Sequence, residues 1–227
     1  MATRIRVDKK LFSKERKAKK GGRPPAADAL KLRDTILRVA TELFLEQGYG
    51  ATSIESVAAR AGVSKRTFYD RFQDKAGLFA AVVHRIIDHI RPPPGVPLLA
   101  GDTLPEILRR LASLILKATL SPQAIALHRL VTGESSRFPE LAYAVENSGG
   151  QAEAIELIAG LLSRELPKIH LSAQDQAFAA RQFIYMVVTI PQRRAIGFGT
   201  PMTAGELDEW EGRVVTLFLN GFKSLHQ

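Results

Sequence analysis

"AARAGVSKRTFYDRF", residues 58–72, changes character at its centre. Small apolar residues lead to Gly62 and Val63, and then Ser64, Lys65, Arg66, Thr67 and Tyr69 crowd hydroxyls, bases and an aromatic together. Gly62 supplies the conformational freedom of a tight corner, with Val63 tucked beneath it. Ser64 can cap a short helix in which Phe68 and Phe72, four apart, share the inward face. Arg66, Tyr69 and Asp70 are then left pointing away. Just upstream, Thr52 and Ser53 offer oxygens to open a helix over "IESVAARA", whose inward residues Ile54, Val57, Ala58 and Ala61 are mostly small. Small residues let a second helix come close. Two helices, one corner and one exposed basic face are what a helix-turn-helix needs, because its second helix must be free to enter a major groove.

The flanks support the same unit. "ALKLRDTILRVATELFLEQGYG", residues 29–50, repeats apolar residues at helical spacing through Ile36, Ala40, Leu43 and Phe44, with Asp28 as the expected N-cap and Gly48 as the stop. A further helix is predicted from an Asp74 cap through "KAGLFAAVVHRIIDHI" to Ile90, with Lys75 where the positive helix end helps to hold a phosphate. Ahead of all this, residues 1–27 carry ten Lys or Arg against two acids, a net of +8 out of +9 for the chain. Such a segment repels itself and buries too little apolar surface to offset its ordering entropy, so it reads as a disordered basic arm. Polyanions are its natural partners. Lys17, Lys19, Lys20 and Arg23 are its last bases, and "GGRPP" sets Arg23 beside stiff prolines, a shape suited to a narrow minor groove.

"ATSIESVAARAGVSKRTFYDRFQDKAGLF", residues 51–79, closely resembles the DNA-binding domain of the TetR family of bacterial transcriptional regulators. The likeness covers about residues 30–90, with Gly48-Tyr49, Thr52-Ser53, Ala58, Gly62-Val63-Ser64, Phe68-Tyr69, Phe72, Lys75 and Leu78-Phe79 in register. It implies that residues around 53–72 bind double-stranded DNA, and that an all-helical second domain dimerises and binds a small molecule. Thr52 and Ser53, at a helix N-terminus, are expected to contact phosphate. Lys65, Arg66 and Thr67 open the recognition helix, where Arg or Lys can bond guanine O6 and N7 and a threonine methyl can touch thymine. Arg66 is the first choice for base readout. Tyr69 is similar to the family's phosphate-contacting tyrosine, and Arg71 stands where that family often has a histidine in a similar role. Asp70 receives no assignment.

Beyond Ile90 the texture changes. "RPPPGVPLLAGD", residues 91–102, holds four prolines and two glycines and reads as a linker or loop. Helical spacing returns from Asp102–Thr103, after Pro122, after Pro139, over 151–166, over 173–190 and over 204–225. "FIYMVVTI" taken alone suits a strand, but it continues an Ala- and Gln-rich helical stretch and no partner strand appears. The expected fold is therefore all-α, about nine helices: a helix-turn-helix domain over 28–90 and a larger helical domain over 103–227. "HRLVTGESSRFPELAYAV", "PQRRAIGFG" and a last helix ending "FLNGF" are similar to the effector domains of one TetR subgroup. In that family the last two long helices pair with their copies in a second subunit. The apolar candidates for such a homodimer are Phe183, Met186, Val187, Ile190, Val214, Leu217, Phe218 and Phe222.

Other chemistries find little support. With 227 residues, 45% of them hydrophobic, the chain can fill a real core, and without cysteine it has no thiolate chemistry. No apolar run approaches the roughly 20 residues of a membrane span, so the chain reads as soluble and unexported, and the family resemblance implies a bacterial cytoplasmic protein held at the nucleoid by DNA. His84 and Asp88 share a helix face but lack the further ligands a metal site needs. "GESS" at 133–136 lacks the flanking glycine pattern of a nucleophile elbow, and no phosphate loop occurs. No enzyme activity, cofactor or metal is expected, and the small-molecule effector is unidentified. The competing reading is a helical ligand-binding or interaction module with only non-specific DNA affinity.

Overall fold

Short polar side chains set where most helices begin. Ser53 accepts from the Ser56 N–H, Ser64 from Thr67, Asp74 from Gly77, Thr103 from Glu106 and Ser121 from Ala124. Each satisfies a backbone donor that the first helical turn cannot. The computed structural model describes residues 26–166 and 171–224, and among them the regular structure is helical throughout. In order, the helices are α1 (Ala26–Gln47), α2 (Ile54–Arg60), α3 (Lys65–Tyr69), α4 (Lys75–Ile90), α5 (Leu104–Thr119), α6 (Pro122–Glu134), α7 (Glu140–Glu146), α8 (Gly150–Glu165), α9 (Ala173–Ala195) and α10 (Ala204–Ser224). The described part thus holds ten helices against the expected nine or so. Asp28 lies inside the first turn of α1 rather than capping it, because the helix already runs from Ala26. Of the expected basic arm, residues 1–25 lie outside the described residues, and Ala26 and Ala27 belong to α1.

The apolar residues sort into two cores. One joins α1 to α4 around Phe44, Phe68 and Phe79, each fully buried, and it also takes Leu127 and Leu130 from α6 and Leu141 and Ala144 from α7. The other joins α5, α8, α9 and α10 around Leu108, Leu162 and Phe183. The division therefore does not follow the Pro- and Gly-rich stretch at 91–102. Helices α6 and α7 come after that stretch in sequence, yet they pack on the helix-turn-helix side. Only Leu120 and Ser121 separate α6 from α5, which belongs to the other core.

Helix α9 runs through Pro191 to Ala195, past the predicted end at Ile190. A proline inside a helix has no N–H for the carbonyl four residues back, here that of Val187. The indole Nε1 of Trp210 on α10 donates to this same Val187 oxygen at 2.9 Å. The helix continues because a neighbour supplies the missing donor.

Four of the proposed dimer residues are occupied within the chain. Phe183, Val187, Val214 and Phe218 lie in the second core, and Phe183 and Phe218 pack ring to ring at 5.0 Å. Their exclusion from the surface follows from the α9–α10 contact, which needs those faces. Met186 is half-buried against the same core. Ile190 and Leu217 are 44% and 67% exposed and remain available. Phe178 and Tyr185, seven apart on one face of α9, are exposed as well and were missed from the sequence. The Phe222 side chain lies outside what the structure describes. Among the described residues no helix is long and apolar enough to cross a membrane.

Candidate nucleic-acid interface

The corner between α2 and α3 is closed by backbone bonds. The Gly62 N–H donates to Ala59 O at 3.1 Å and the Val63 N–H to Ala58 O at 2.9 Å. Gly62 has φ +69°, and a Cβ there would meet nothing within 4 Å, so the backbone angle rather than space calls for glycine. Beyond the corner, Phe68 is fully buried and Phe72 nearly so, their ring centroids 5.5 Å apart. These two rings bolt the five-residue α3 onto the first core and fix which side faces out.

That outer side carries the expected groups. Arg66 is exposed; its carbonyl accepts from the Asp70 N–H, while its side chain has no hydrogen bond or ion pair among the described residues. Tyr69 is 51% exposed, its ring edge-on to Phe68. Lys65 is exposed but engaged, its Nζ 2.6 Å from Glu55 Oε1 on α2. The contact holds the Glu55 carboxyl below its ordinary range and lifts the Lys65 ammonium above its own. Thr67 shares a 2.9 Å hydroxyl contact with Ser64, and Arg71 is half-buried, donating to Thr67 O at 3.2 Å. Ser53 is exposed at the start of α2. Asp70 is exposed at the end of α3.

One expected phosphate contact needs correction, and a second is engaged within the chain. Thr52 is only 2% exposed, and its hydroxyl donates inward to Gly48 O at 2.8 Å and Leu43 O at 3.2 Å. It ties α2 to the end of α1 and has no surface to offer. Lys75 is half-buried and already engaged: its ammonium lies 4.2 Å from the Tyr49 ring centroid and reaches Gly50 O at 3.5 Å. Burial pushes its pKa down, while the carboxylates of Glu134 and Glu140 act in the opposite sense.

Sequence reading missed the polar seam that those two carboxylates build. Glu134, the last residue of α6, accepts from the Tyr49 N–H at 2.9 Å and the Gly50 N–H at 2.7 Å. Glu140, the first residue of α7, accepts from the Tyr49 hydroxyl at 3.0 Å. Tyr49 is 3% exposed and boxed by Phe44, Phe79 and Phe138, so burial and the Glu140 carboxylate both raise its phenol pKa. The signals were the glycines around Tyr49 and the acids of "GESSRFPE", which spacing alone could not bring together.

A cleft of about 580 Å³ lies where the end of α4, the 91–97 loop, α5 and the start of α6 meet; Ile90, Val96, Leu114, Lys117 and Ala118 help to line it.

Comparison with known proteins agrees with this geometry. The family described as "Bacterial regulatory proteins, tetR family" matches residues 36–82, and "AefR-like transcriptional repressor, C-terminal domain" matches residues 106–223. An HTH-type transcriptional activator, FasR of Mycolicibacterium smegmatis, is 40% identical over 58 residues, 26% of either chain. An HTH-type transcriptional repressor, ComR of Escherichia coli, is 41% identical over 70 residues, 31% of either chain. The chain thus spans about a quarter to a third of the length of these curated relatives. Likeness to solved structures extends further. The flavonoid-responsive regulator FrrA is 30% identical, with a TM-score of 0.70 over 84% of this chain and 96% of that one. A TetR family transcriptional regulator from Pseudomonas syringae is 26% identical, with a TM-score of 0.62 over 83% and 95%.

Proposed function

The chain belongs to the TetR family of bacterial regulators, and from that premise we propose that it is a dimeric repressor whose grip on a near-palindromic operator is released by a small molecule. The observation that carries the reading is the outer face of α3: Arg66 and Tyr69 stand exposed while Phe68 and Phe72 lock the helix from behind. Arg66 reads a base edge, with guanine O6 and N7 as its natural partner. Ser53, Tyr69 and Arg71 position the duplex through phosphate, and Thr67 touches a neighbouring base. Lys65 contributes less charge than its identity suggests, because Glu55 already pairs with it. Asp70 works against indiscriminate binding by facing phosphate with a like charge. The arm, through Lys17, Lys19, Lys20 and Arg23, adds salt-sensitive affinity along the minor groove.

Two copies meeting through α9 and α10, by way of Ile190, Leu217, Phe178 and Tyr185, set two recognition helices roughly 34 Å apart, one turn of duplex. Repression rather than activation is favoured because the match to a repressor's C-terminal domain spans 106–223, whereas the match to a named activator covers only 58 residues. The effector belongs in the cleft against the end of α4 and the start of α6, where it can favour one arrangement of the two cores over another. The protein acts in the bacterial cytoplasm, at the nucleoid, with no catalytic step. Selection from random duplex DNA by the purified full chain tests the reading. Enrichment of one near-palindrome is expected; featureless binding contradicts it.

A further inference from the structure

Glu134 stands at the tip of α6 with its carboxylate in the backbone of another part of the fold. Its two oxygens take the N–H groups of Tyr49 and Gly50 at 2.9 and 2.7 Å. Those residues form the turn that leads from α1 into the cap of α2. Charge-assisted bonds of this forked kind fix orientation as well as contact. The seat is shaped for the carboxylate: Gly48 has φ +90°, and a Cβ on it would lie 2.5 Å from Glu134 Oε1. A Cβ on Gly50 would lie 3.2 Å from both Glu134 Oε2 and the Phe138 ring. Around the fork, Glu140 takes the Tyr49 hydroxyl and the Lys75 ammonium covers the Tyr49 ring. Every part of the seam thus closes on one turn.

The other end of α6 follows α5 after only Leu120 and Ser121, α5 is built into the second core, and Arg129 of α6 donates to Ala195 O at the end of α9 at 2.8 Å. Helix α6 thus runs from the second core to Glu134, whose carboxylate holds the turn at the base of the helix-turn-helix. We propose that Glu134 is a positioning residue: it sets the tilt of the α2–α3 unit against the second core, and so the half-site spacing that a dimer accepts. The proposal rests on the regulator reading above. It gives "GESSRFPE" a role unrelated to the nucleophile elbow considered from the sequence.

The test uses the full chain and a palindrome selected by the wild-type protein, rebuilt with the half-site spacing varied one base pair at a time. Two variants disturb the seam differently. Glu134→Gln places an amide against one of the two N–H donors, and Gly50→Ala crowds the carboxylate while leaving its charge. For both, affinity at the preferred spacing falls about tenfold, the size expected for one lost charge-assisted contact, and the spacing preference flattens. Affinity for a duplex holding one half-site stays within about twofold, because the recognition face itself is untouched. An unchanged spacing profile in both variants overturns the positioning role. So does an equal loss on half-site and palindrome, or loss of helix content in both variants, which would make the seam a folding contact only. A wild-type protein that selects no site defeats the regulator reading itself, and this proposal with it.

Discussion

Replacing Arg66 by alanine separates base reading from folding. The Arg66 side chain is exposed and makes no hydrogen bond or ion pair among the described residues, so its removal changes stability by no more than about 0.5 kcal/mol. Any loss should appear in binding. A bidentate contact from arginine to guanine discriminates by about 1–3 kcal/mol. A symmetric dimer makes it twice, which gives about 2–6 kcal/mol, or roughly 30-fold to 20,000-fold in affinity. The neighbouring lysine provides the contrast. Lys65 already faces Glu55 at 2.6 Å, so Glu55→Gln frees an ammonium for phosphate. That variant should bind all sequences more tightly, and its slope of log affinity against log salt should steepen by about 0.9 per half-site. Fluorescence anisotropy on the selected palindrome, and on duplexes substituted symmetrically at each position, distinguishes the two effects. Arg66→Ala should abolish preference at one position per half-site, while Glu55→Gln should leave the order of preferences intact. If Arg66→Ala keeps every preference, α3 does not read bases through this residue and the division of labour is wrong.

Trp210→Phe strands the Val187 carbonyl beside Pro191 and should cost about 1–3 kcal/mol, lowering Tm by roughly 2–10 °C; an unchanged melting curve would remove the account of α9. Deleting residues 1–25 should flatten the salt slope by about 0.9 for each phosphate that the arm neutralises, and an unaltered slope would mean that the arm never touches the duplex. Leu217→Glu combined with Ile190→Glu should yield monomer by light scattering at micromolar concentration with helix content retained, whereas a persistent dimer would place the interface elsewhere. Glu211 is 8% exposed, and burial raises its carboxyl above the ordinary 4.5. As pH falls, the native state therefore takes up this proton before the unfolded chain does, so the stability tied to Glu211 rises on acidification and is lost as pH rises through the raised native value. Glu211→Gln should accordingly melt higher than wild type at pH 8, with the gap closing towards pH 4.5; a gap independent of pH would contradict this sign.

Local chemistry was legible at most helix starts that carry a short polar residue, Asp28 in the first turn of α1 being the exception. Ser53, Ser64, Asp74 and Thr103 cap the helices that their positions implied, and Phe68 with Phe72 turned α3 as their spacing required. Long-range partners were not legible. Thr52 stands beside Ser53 and offers the same hydroxyl, yet its acceptors are the carbonyls of Leu43 and Gly48, which only the fold of the turn brings beneath it. Phe183 and Ile190 share an apolar helix, and periodicity cannot say which faces α10 and which faces solvent. The predicted range ended at Ile190, just before Pro191, and local spacing could not show that Trp210 would take the orphaned Val187 carbonyl and let the helix run on. Glu134 was the largest omission. Its charge lies 84 and 85 residues from the amides it holds, and no local pattern announces such a pairing.

The central claim, that the outer face of α3 lies in a major groove, is met most directly by methylation protection at guanine N7 on the selected palindrome. Protected guanines are expected in two clusters, centred about 10 base pairs apart, with that protection lost in Arg66→Ala. Guanines that stay fully reactive under saturating protein, or protection that survives in Arg66→Ala, would contradict the claim.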